Sequence, residues 1–377
     1  MSKKNKEQEF TEQQKEVLSS IKVSRIILPI LIGLGVVVFL VVRQFDPQEF
    51  SQIKWTTRTF LGIGIAVLLL IIRHLAYATR LFILSNKEFS FRKCIELIFI
   101  WEFSSAVSPT SLGGSAVAFF ILAQEKLSTA KTATIVLYTI VLDTAFFILT
   151  LPILIAILGF NIIRPDINSF SDIDGWGYTF LFAYALMAIY GTIFYLGLFR
   201  FPRRIKQFLV GCTKIKFLKR YRQNAIELGN DMMVASKELK KQNWKFHVGG
   251  FLATATAWSC RFLILGVLIA GFISALPLDF FTQFALYARL ETMFVIIAFS
   301  PTPGGAGFVE ILFGGFLTDY VKDDTSAIVI STIWRLLTYY SYLIAGAIII
   351  PNWIHNILRA RKKKRLERSD SNTPSTN

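Results

Sequence analysis

The chain has 377 residues, a mean hydropathy of +0.51 and a hydrophobic fraction of 53%, and 35 of its residues are phenylalanine. A water-soluble fold cannot bury so much apolar surface, so the composition excludes an ordinary soluble domain and indicates a polytopic membrane protein. The net charge of +16 could suit nucleic acid, but the basic residues lie between and beyond the apolar runs and no nucleic-acid motif accompanies them. The three cysteines and three histidines have no ligand spacing, so we expect no metal and no cofactor.

Apolar runs of about 20 residues are long enough to cross a bilayer. After a polar N-terminus, residues 1–25, six runs are predicted to span the membrane: 26–42, 59–84, 132–160, 177–199, 248–274 and 327–350. Two further apolar regions, 95–122 and 280–317, are each interrupted near the middle by Ser, Pro and paired Gly. Each half of these two regions is expected to be too short to cross alone.

Positive charge predicts the orientation, because cytoplasmic loops are enriched in Lys and Arg. The connector 200–245 carries thirteen Lys and Arg, and the tail 351–377 carries seven between positions 359 and 368. Both are expected in the cytoplasm with the N-terminus, and the tail reads as disordered. The segments 164–175 and 319–324 lean acidic and are expected outside. This orientation requires the two interrupted regions to be re-entrant hairpins, the first entering from the cytoplasm and the second from outside.

An internal repeat relates the two halves of the chain. "YATRLFIL" at 77–84 resembles "WSCRFLIL" at 258–265 and aligns Arg80 with Arg261, and "SPTSLGG" at 108–114 resembles "SPTPGG" at 300–305. The halves, about 59–160 and 248–350, would run in opposite directions, which is typical of transporters with a central binding site. The predicted fold is therefore an all-α polytopic membrane protein with six full spans plus two re-entrant broken-helix hairpins in an inverted repeat.

Ionisable residues inside a membrane are expensive unless they are paired or solvated. The apolar regions contain many of them, among them Arg73, His74, Arg80, Glu102, Asp143, Arg261, Arg289, Glu291, Glu310 and Arg335. Three of the arginines, at positions 73, 80 and 289, could lie close enough to a membrane face to snorkel. His74 is expected to be a packed or interfacial imidazole rather than a proton relay. For the more central residues, such as Asp143, two interpretations stay open: a polar cavity, or structural salt bridges with an arginine.

The interrupted loops have the chemistry of an anion site. Pro109 and Pro301 remove a backbone donor and stop a helix. The paired glycines that follow, Gly113 with Gly114 and Gly304 with Gly305, permit tight turns. A half-helix that begins after such a turn presents unpaired N–H groups, which favour a phosphate. The first loop and the two arginines that the repeat aligns give these candidate substrate-binding residues: Arg80, Ser108, Pro109, Gly113, Gly114 and Arg261. Glu102 and Asp143 are candidate partners for charges or protons.

The motifs "SPTSLGG", "SPTPGGAGFVE" at 300–310 and "TIWRLLTYY" at 332–340 resemble the lysylphosphatidylglycerol synthase transmembrane family, also called flippase-like domain proteins. The resemblance covers roughly residues 25–350. It implies a bacterial or archaeal cytoplasmic-membrane protein that moves or handles phospholipids or lipid-linked sugars. It adds these candidate substrate-binding positions: Pro301, Gly304, Gly305, Gly307, Glu310 and Arg335. Lysyl transfer resides in a separate soluble domain of some members, so we expect that activity to be absent here.

We predict from these features a lipid translocase that binds membrane lipids by an anionic headgroup, in a transmembrane domain of residues 26–350. Neither a nucleotide-binding loop nor a nucleophile elbow is present in the sequence, so we assign no catalytic residue. Two alternatives stay open. One is an intramembrane transferase acting on a lipid-linked substrate, and the other is a non-transporting scaffold for an envelope-synthesis enzyme.

Overall fold

A computed structural model describes residues 48, 51, 53, 55–107, 118–119, 121–125, 127–165, 167–215, 217–299, 312–313 and 315–370. Over these residues the chain is helical, with ten α-helices and no strand. The helices are α1 (Thr57–Leu84), α2 (Phe91–Val107), α3 (Thr129–Leu158), α4 (Gly175–Tyr195), α5 (Pro202–Cys212), α6 (Arg222–Leu239), α7 (Trp244–Phe272), α8 (Phe280–Ile297), α9 (Asp324–Arg335) and α10 (Ser341–Asp370). The predicted span 26–42 and both Ser-Pro-Thr stretches lie outside the described residues.

Six helical segments in the described part of the chain are long and apolar enough to cross a membrane. They are Thr57–Leu84, Thr129–Leu158, Gly175–Arg200, Trp244–Phe272, Phe280–Ile297 and Asp324–His355. Five of them coincide with predicted spans. The other is α8, the first half of the second interrupted region. Its 18 residues extend about 27 Å, so the expectation that each half is too short to cross is wrong for this half.

Polar caps fix where three of these helices begin. The carboxylates of Asp174, Asp279 and Asp323 precede α4, α8 and α9, and each accepts the backbone N–H three residues later, at 2.9, 3.0 and 2.7 Å. Such caps satisfy one of the N–H groups that a helix start leaves unpaired. All three caps belong to the ends that the charge pattern predicts to be outside.

The two helices that the repeat aligns, α1 and α7, pack against each other in antiparallel directions. Near the start of α1, a Cβ on Gly62 would lie 2.9 Å from the Val267 carbonyl oxygen and 3.1 Å from the Gly271 Cα at the end of α7. At the other end, a Cβ on Gly250 would lie 3.5 Å from Leu84. The antiparallel packing of α1 and α7 is what an inverted repeat requires of this pair. The repeat as a whole and its re-entrant hairpins stay predictions.

Two large apolar clusters form most of the core of the described residues. One joins α3, α7 and α8 through residues such as Phe262 and Leu290, and the other joins α1, α2 and α6 through residues such as Leu97 and Met232. Large apolar side chains also cover the outer surfaces of the spans; Phe182 on α4 is 67% exposed. A surface of this kind is stable against lipid and unfavourable in water.

The basic connector 200–245 forms α5 and α6. The sequence predicts an amphipathic helix on the membrane surface there, and α6 buries one face, with Gly229, Met232, Ala235 and Leu239, against the helical bundle. A π-helical turn, Leu196–Arg200, joins the end of α4 to this connector. The connector is therefore a packed part of the fold.

Candidate functional site: an intramembrane cluster of arginines and carboxylates

Three polar side chains follow one face of α1. Arg73, Tyr77 and Arg80 are spaced by four and three residues, which places them on the same side of a helix. Arg73 is 1% exposed and Arg80 is 7% exposed. The snorkelling interpretation is wrong for Arg73, because its guanidinium is inside the bundle and is paired there.

The partner of Arg73 is Glu102, one of the predicted charge partners, on α2. The Arg73 Nη2 lies 2.5 Å from the Glu102 Oε2. The rings of Tyr77 and Tyr342 stand 5.2 and 5.4 Å from the guanidinium carbon, within cation–π range. This pair connects α1, α2 and α10 at a depth where neither charge would persist alone.

His74 is packed beside this pair, as the sequence predicts. One ring nitrogen lies 3.2 Å from the Tyr342 hydroxyl and the other 3.2 Å from the Ile95 carbonyl oxygen. The Phe99 ring covers the imidazole at 4.0 Å between ring centres. With both nitrogens held by these partners, the imidazole joins α1 to α2 and α10.

Asp143 joins three helices. Its Oδ1 accepts from the Arg80 Nη1 at 2.5 Å and from the Trp258 indole N–H at 3.0 Å. The same Arg80 nitrogen lies 3.3 Å from the Thr254 hydroxyl. The Asp143 side chain is 29% exposed, so one carboxylate of α3 is held by α1 and α7 and still faces accessible space.

Arg261 is one turn beyond Trp258 on α7. Its guanidinium carbon lies 5.3 Å from the ring centres of Trp258 and Phe294. Arg73, Tyr77 and Glu102 all act on it electrostatically, which brings Arg261 into one group with the Arg73–Glu102 pair. Among the residues that the structure describes, no carboxylate comes within salt-bridge distance of Arg261.

We refer to Arg73, Arg80, Arg261, Glu102 and Asp143 as the arginine cluster. Among the residues that the structure describes, the three cations and two carboxylates of this cluster leave one positive charge in excess. Arg261, Glu102 and Asp143 are partly exposed, whereas Arg73 and Arg80 are buried behind them. The excess charge of the described cluster is at Arg261, on its partly exposed side.

Arg335, a further candidate residue, is the last residue of α9. It is 2% exposed, and its guanidinium carbon stands 5.9 Å from the Tyr339 ring. The neighbouring Trp334 contacts the Phe294 ring at 5.8 Å, and Phe294 also contacts Arg261. A run of aromatic contacts thus connects the end of α9 to α7.

The remaining candidate residues lie outside the described residues: Ser108, Pro109, Gly113, Gly114, Pro301, Gly304, Gly305, Gly307 and Glu310. Their role in an anion-binding loop stays a prediction. Both stretches follow helices of known position, since α2 ends at Val107 and α8 ends at Ile297.

Comparison with known proteins gives the family. Residues 26–346 match the family model described as the lysylphosphatidylglycerol synthase TM region. The chain belongs to this family. A UPF0104 membrane protein of Archaeoglobus fulgidus is 25% identical over 319 residues, which cover 80% of this chain and 90% of that relative. No solved structure matches the chain. With its six candidate spans, this member of the family is a multi-pass membrane protein.

Several residues of the site are not among the candidates that the sequence predicts. The sequence favours a snorkelling role for Arg73, and no sequence motif marks Tyr77, Thr254, Trp258 or Tyr342. A usable signal was present on α1, because Arg73 precedes Arg80 by two helical turns and shares its face. No comparable signal marks Tyr342, whose role depends on how α10 packs.

Proposed function

We propose that this protein is a lipid translocase, which moves a phospholipid or a lipid-linked headgroup across the membrane. The observation that carries the proposal is the excess positive charge of the arginine cluster within the candidate spans. A buried charge that is not neutralised by the protein is costly and marks a substrate or ion pathway in many membrane proteins. Lipid headgroups that contain a phosphate would supply the missing negative charge.

Arg261 is the proposed phosphate ligand. Its planar guanidinium can donate two parallel hydrogen bonds to phosphate oxygens, and it has no carboxylate within salt-bridge distance in the described part of the chain. The two arginines behind it are already engaged, Arg73 with Glu102 and Arg80 with Asp143. They would keep the carboxylates in place and make the local field favourable to an anion.

The partly exposed carboxylates fit the other end of such a headgroup. Glu102 and Asp143 are 22% and 29% exposed, and each could accept from an amino or hydroxyl group of a substrate while keeping its arginine. The acyl chains would remain in the bilayer while the headgroup crosses through the polar site. The predicted anion-binding loops at 108–114 and 300–305 would complete this site.

The test is headgroup transfer in vesicles. Purified protein is reconstituted into phosphatidylcholine vesicles that contain a trace of fluorescent phosphatidylglycerol, and quencher-accessible fluorescence is followed over time. Charge-assisted hydrogen bonds contribute about 1.5–3 kcal/mol, so Arg261→Gln should slow transfer roughly 10- to 100-fold. Arg261→Lys should retain part of the rate.

Two further comparisons make the result specific. Arg222→Gln removes the same charge from an exposed position on α6 and should leave the rate unchanged. The double variant Glu310→Gln with Arg335→Ala should also slow transfer. The proposal is wrong if wild-type vesicles are no faster than protein-free vesicles, or if the Arg261 variant and the double variant both transfer at the wild-type rate.

A further inference from the structure

A second buried carboxylate lies in the bundle, and the proposed lipid site does not use it. Glu291 is on α8 and is 0% exposed. It is two residues from Arg289, whose guanidinium turns to the Asp319 carboxylate at 3.2 Å and to the Phe316 carbonyl oxygen at 3.0 Å. Residues two apart point to different sides of a helix, and no salt bridge to Glu291 is present in the described part of the chain.

The neighbours of Glu291 on the surrounding helices are neutral hydroxyl and thiol groups. Thr150 of α3 is hydrogen-bonded to the Glu291 Oε1. Tyr287, one turn earlier on α8, and Tyr184 of α4 act on the carboxyl group electrostatically. On α7, the Ser259 hydroxyl lies 3.1 Å from the Tyr287 hydroxyl, and the Cys260 thiol also acts on Tyr287.

The two hydrogen bonds of Thr150 are compatible with a protonated Glu291 carboxyl group. A threonine hydroxyl has one proton to donate. The Thr150 Oγ1 lies 2.7 Å from the Phe146 carbonyl oxygen, four residues earlier on α3, and that carbonyl can only accept. If the hydroxyl proton is directed to Phe146, the hydrogen bond between Thr150 and Glu291 must be donated by the Glu291 carboxyl group.

The energetics favour the same distribution of protons. An ionised carboxylate without a cationic partner in a dry interior loses its hydration and gains little in return. A neutral carboxylic acid has one O–H to donate and oxygens that accept from hydroxyls such as Tyr287. The Thr150 hydroxyl can accept that O–H from the Glu291 Oε1. The Oε2 has no hydrogen-bond partner in the described part of the chain, which makes an ionised carboxylate still more unfavourable.

We propose that Glu291 is a proton-binding site, with the carboxyl proton directed to the Thr150 hydroxyl. Release of the proton breaks the carboxyl O–H bond, leaves the electron pair on the carboxylate and transfers the proton to water. The Tyr287 and Ser259 hydroxyls extend from the site toward α7. This inference does not depend on the proposed lipid transfer.

The test is infrared difference spectroscopy on the full-length protein in lipid at neutral pH. The spectrum of wild type minus Glu291→Gln should contain one carboxylic C=O stretching band, and the band should shift in D2O. Exposed Glu227 on α6 provides the control, because Glu227→Gln should remove carboxylate bands and no carboxylic band. Loss of carboxylate bands in the Glu291 variant would overturn the proposal.

Two more measurements keep the test decisive. The band should have the same intensity in sodium and in choline buffers; its disappearance in sodium would identify a metal-cation site and overturn the proposal. If Glu291→Gln does not fold, Thr150→Val keeps the carboxyl group and removes its hydrogen-bond partner. The C=O band should then move to higher frequency, and an unshifted band would contradict the assignment.

Discussion

Arg80 of α1 and Asp143 of α3 meet at 2.5 Å, and Trp258 of α7 donates to the same carboxylate oxygen at 3.0 Å. One carboxylate therefore holds three helices together. The Arg80 side chain is 9% exposed, so its charge depends on this partner. A buried pair of this kind is strongly sensitive to the loss of one member.

Asp143→Asn should destabilise the protein because it leaves the Arg80 charge buried and uncompensated. Breaking a fully buried pair costs about 3–5 kcal/mol, and the 29% exposure of the Asp143 side chain reduces the expected loss to about 2–3 kcal/mol. The double variant Arg80→Gln with Asp143→Asn removes both charges and should recover part of that loss. The measurement is the unfolding midpoint in detergent.

An exposed pair provides the control for this experiment. Lys241 Nζ lies 2.8 Å from the Glu238 Oε1, and the Lys241 side chain is 66% exposed. Exposed pairs contribute about 0–1 kcal/mol, so Glu238→Gln should change the midpoint very little. If the double variant and Asp143→Asn have the same unfolding midpoint, the uncompensated charge of Arg80 is not the cause of the destabilisation.

Five of the candidate spans could be predicted from apolar length alone, because a run of about 20 apolar residues has few other solutions. The alignment of Arg80 with Arg261 also pointed to two arginines that the fold brings into one cluster. The pairing of Arg73 with Glu102 could not be predicted, since it depends on which helix packs beside α1. The length of α8 could not be predicted, since the interruption at 300–305 indicates short helices on both sides of it.

Gly62→Ala should destabilise the packing of α1 against α7. The added Cβ would lie 2.9 Å from the Val267 carbonyl oxygen and 3.1 Å from the Gly271 Cα. Both are backbone atoms, so no side-chain rotation can relieve the contact, and overpacking typically costs about 1–3 kcal/mol. The unfolding midpoint of the variant should fall accordingly.

Gly64, two residues later on the same helix, offers a matched control. A Cβ there has no atom within 4 Å. Gly64→Ala should therefore be neutral or stabilising by about 0.5–1 kcal/mol, since glycine is unfavourable inside a helix. If both alanine variants have the same midpoint, the close contact between α1 and α7 does not limit stability.

The loop between α3 and α4 should have a local stability that depends on pH. Hydrogen bonds from the Ser169 hydroxyl and backbone N–H, at 2.8 and 2.9 Å, lower the pKa of Asp172 below its usual value of 3.8. Because the pKa of Asp172 is lower in the folded state, its carboxylate stabilises the loop at pH values above the unfolded-state pKa. That stabilisation is lost as the pH falls through the folded-state pKa. Protection of the Ser169 amide from hydrogen exchange should decrease in that range, which lies below about pH 4.

Asp172→Asn imitates the protonated carboxyl group and gives the comparison for this loop. At neutral pH its Ser169 amide should exchange faster than that of wild type, and the difference should vanish in acid. Asp279, which caps α8 and whose pKa is also lowered, by the Thr282 hydroxyl and N–H, should behave in the same way when it is replaced. A difference between Asp172→Asn and wild type that persists unchanged at low pH would exclude the carboxylate as its cause.

Single cysteines at Thr110 and Thr302 should be labelled from opposite sides of the membrane. The charge pattern predicts that the first interrupted region enters from the cytoplasm and the second from outside, so a membrane-impermeant reagent should reach 110 only from the cytoplasm and 302 only from outside. The background requires replacement of Cys94, Cys212 and Cys260. Cysteines at Lys241 and Ser171, in the predicted cytoplasmic connector and the predicted outer loop, report the orientation of each vesicle population.

The two patterns of labelling have different consequences for the arginine cluster. Labelling from opposite sides would mean that water reaches one loop from the cytoplasm and the other from outside. A headgroup at Arg261 could then be reached from either leaflet, as the inverted repeat requires. Labelling of both positions from one side, or of neither, would remove the inverted re-entrant pair. The pairs Arg73–Glu102 and Arg80–Asp143 would then serve to hold α1, α2, α3 and α7 together, and a scaffold would account for the fold better than a translocase.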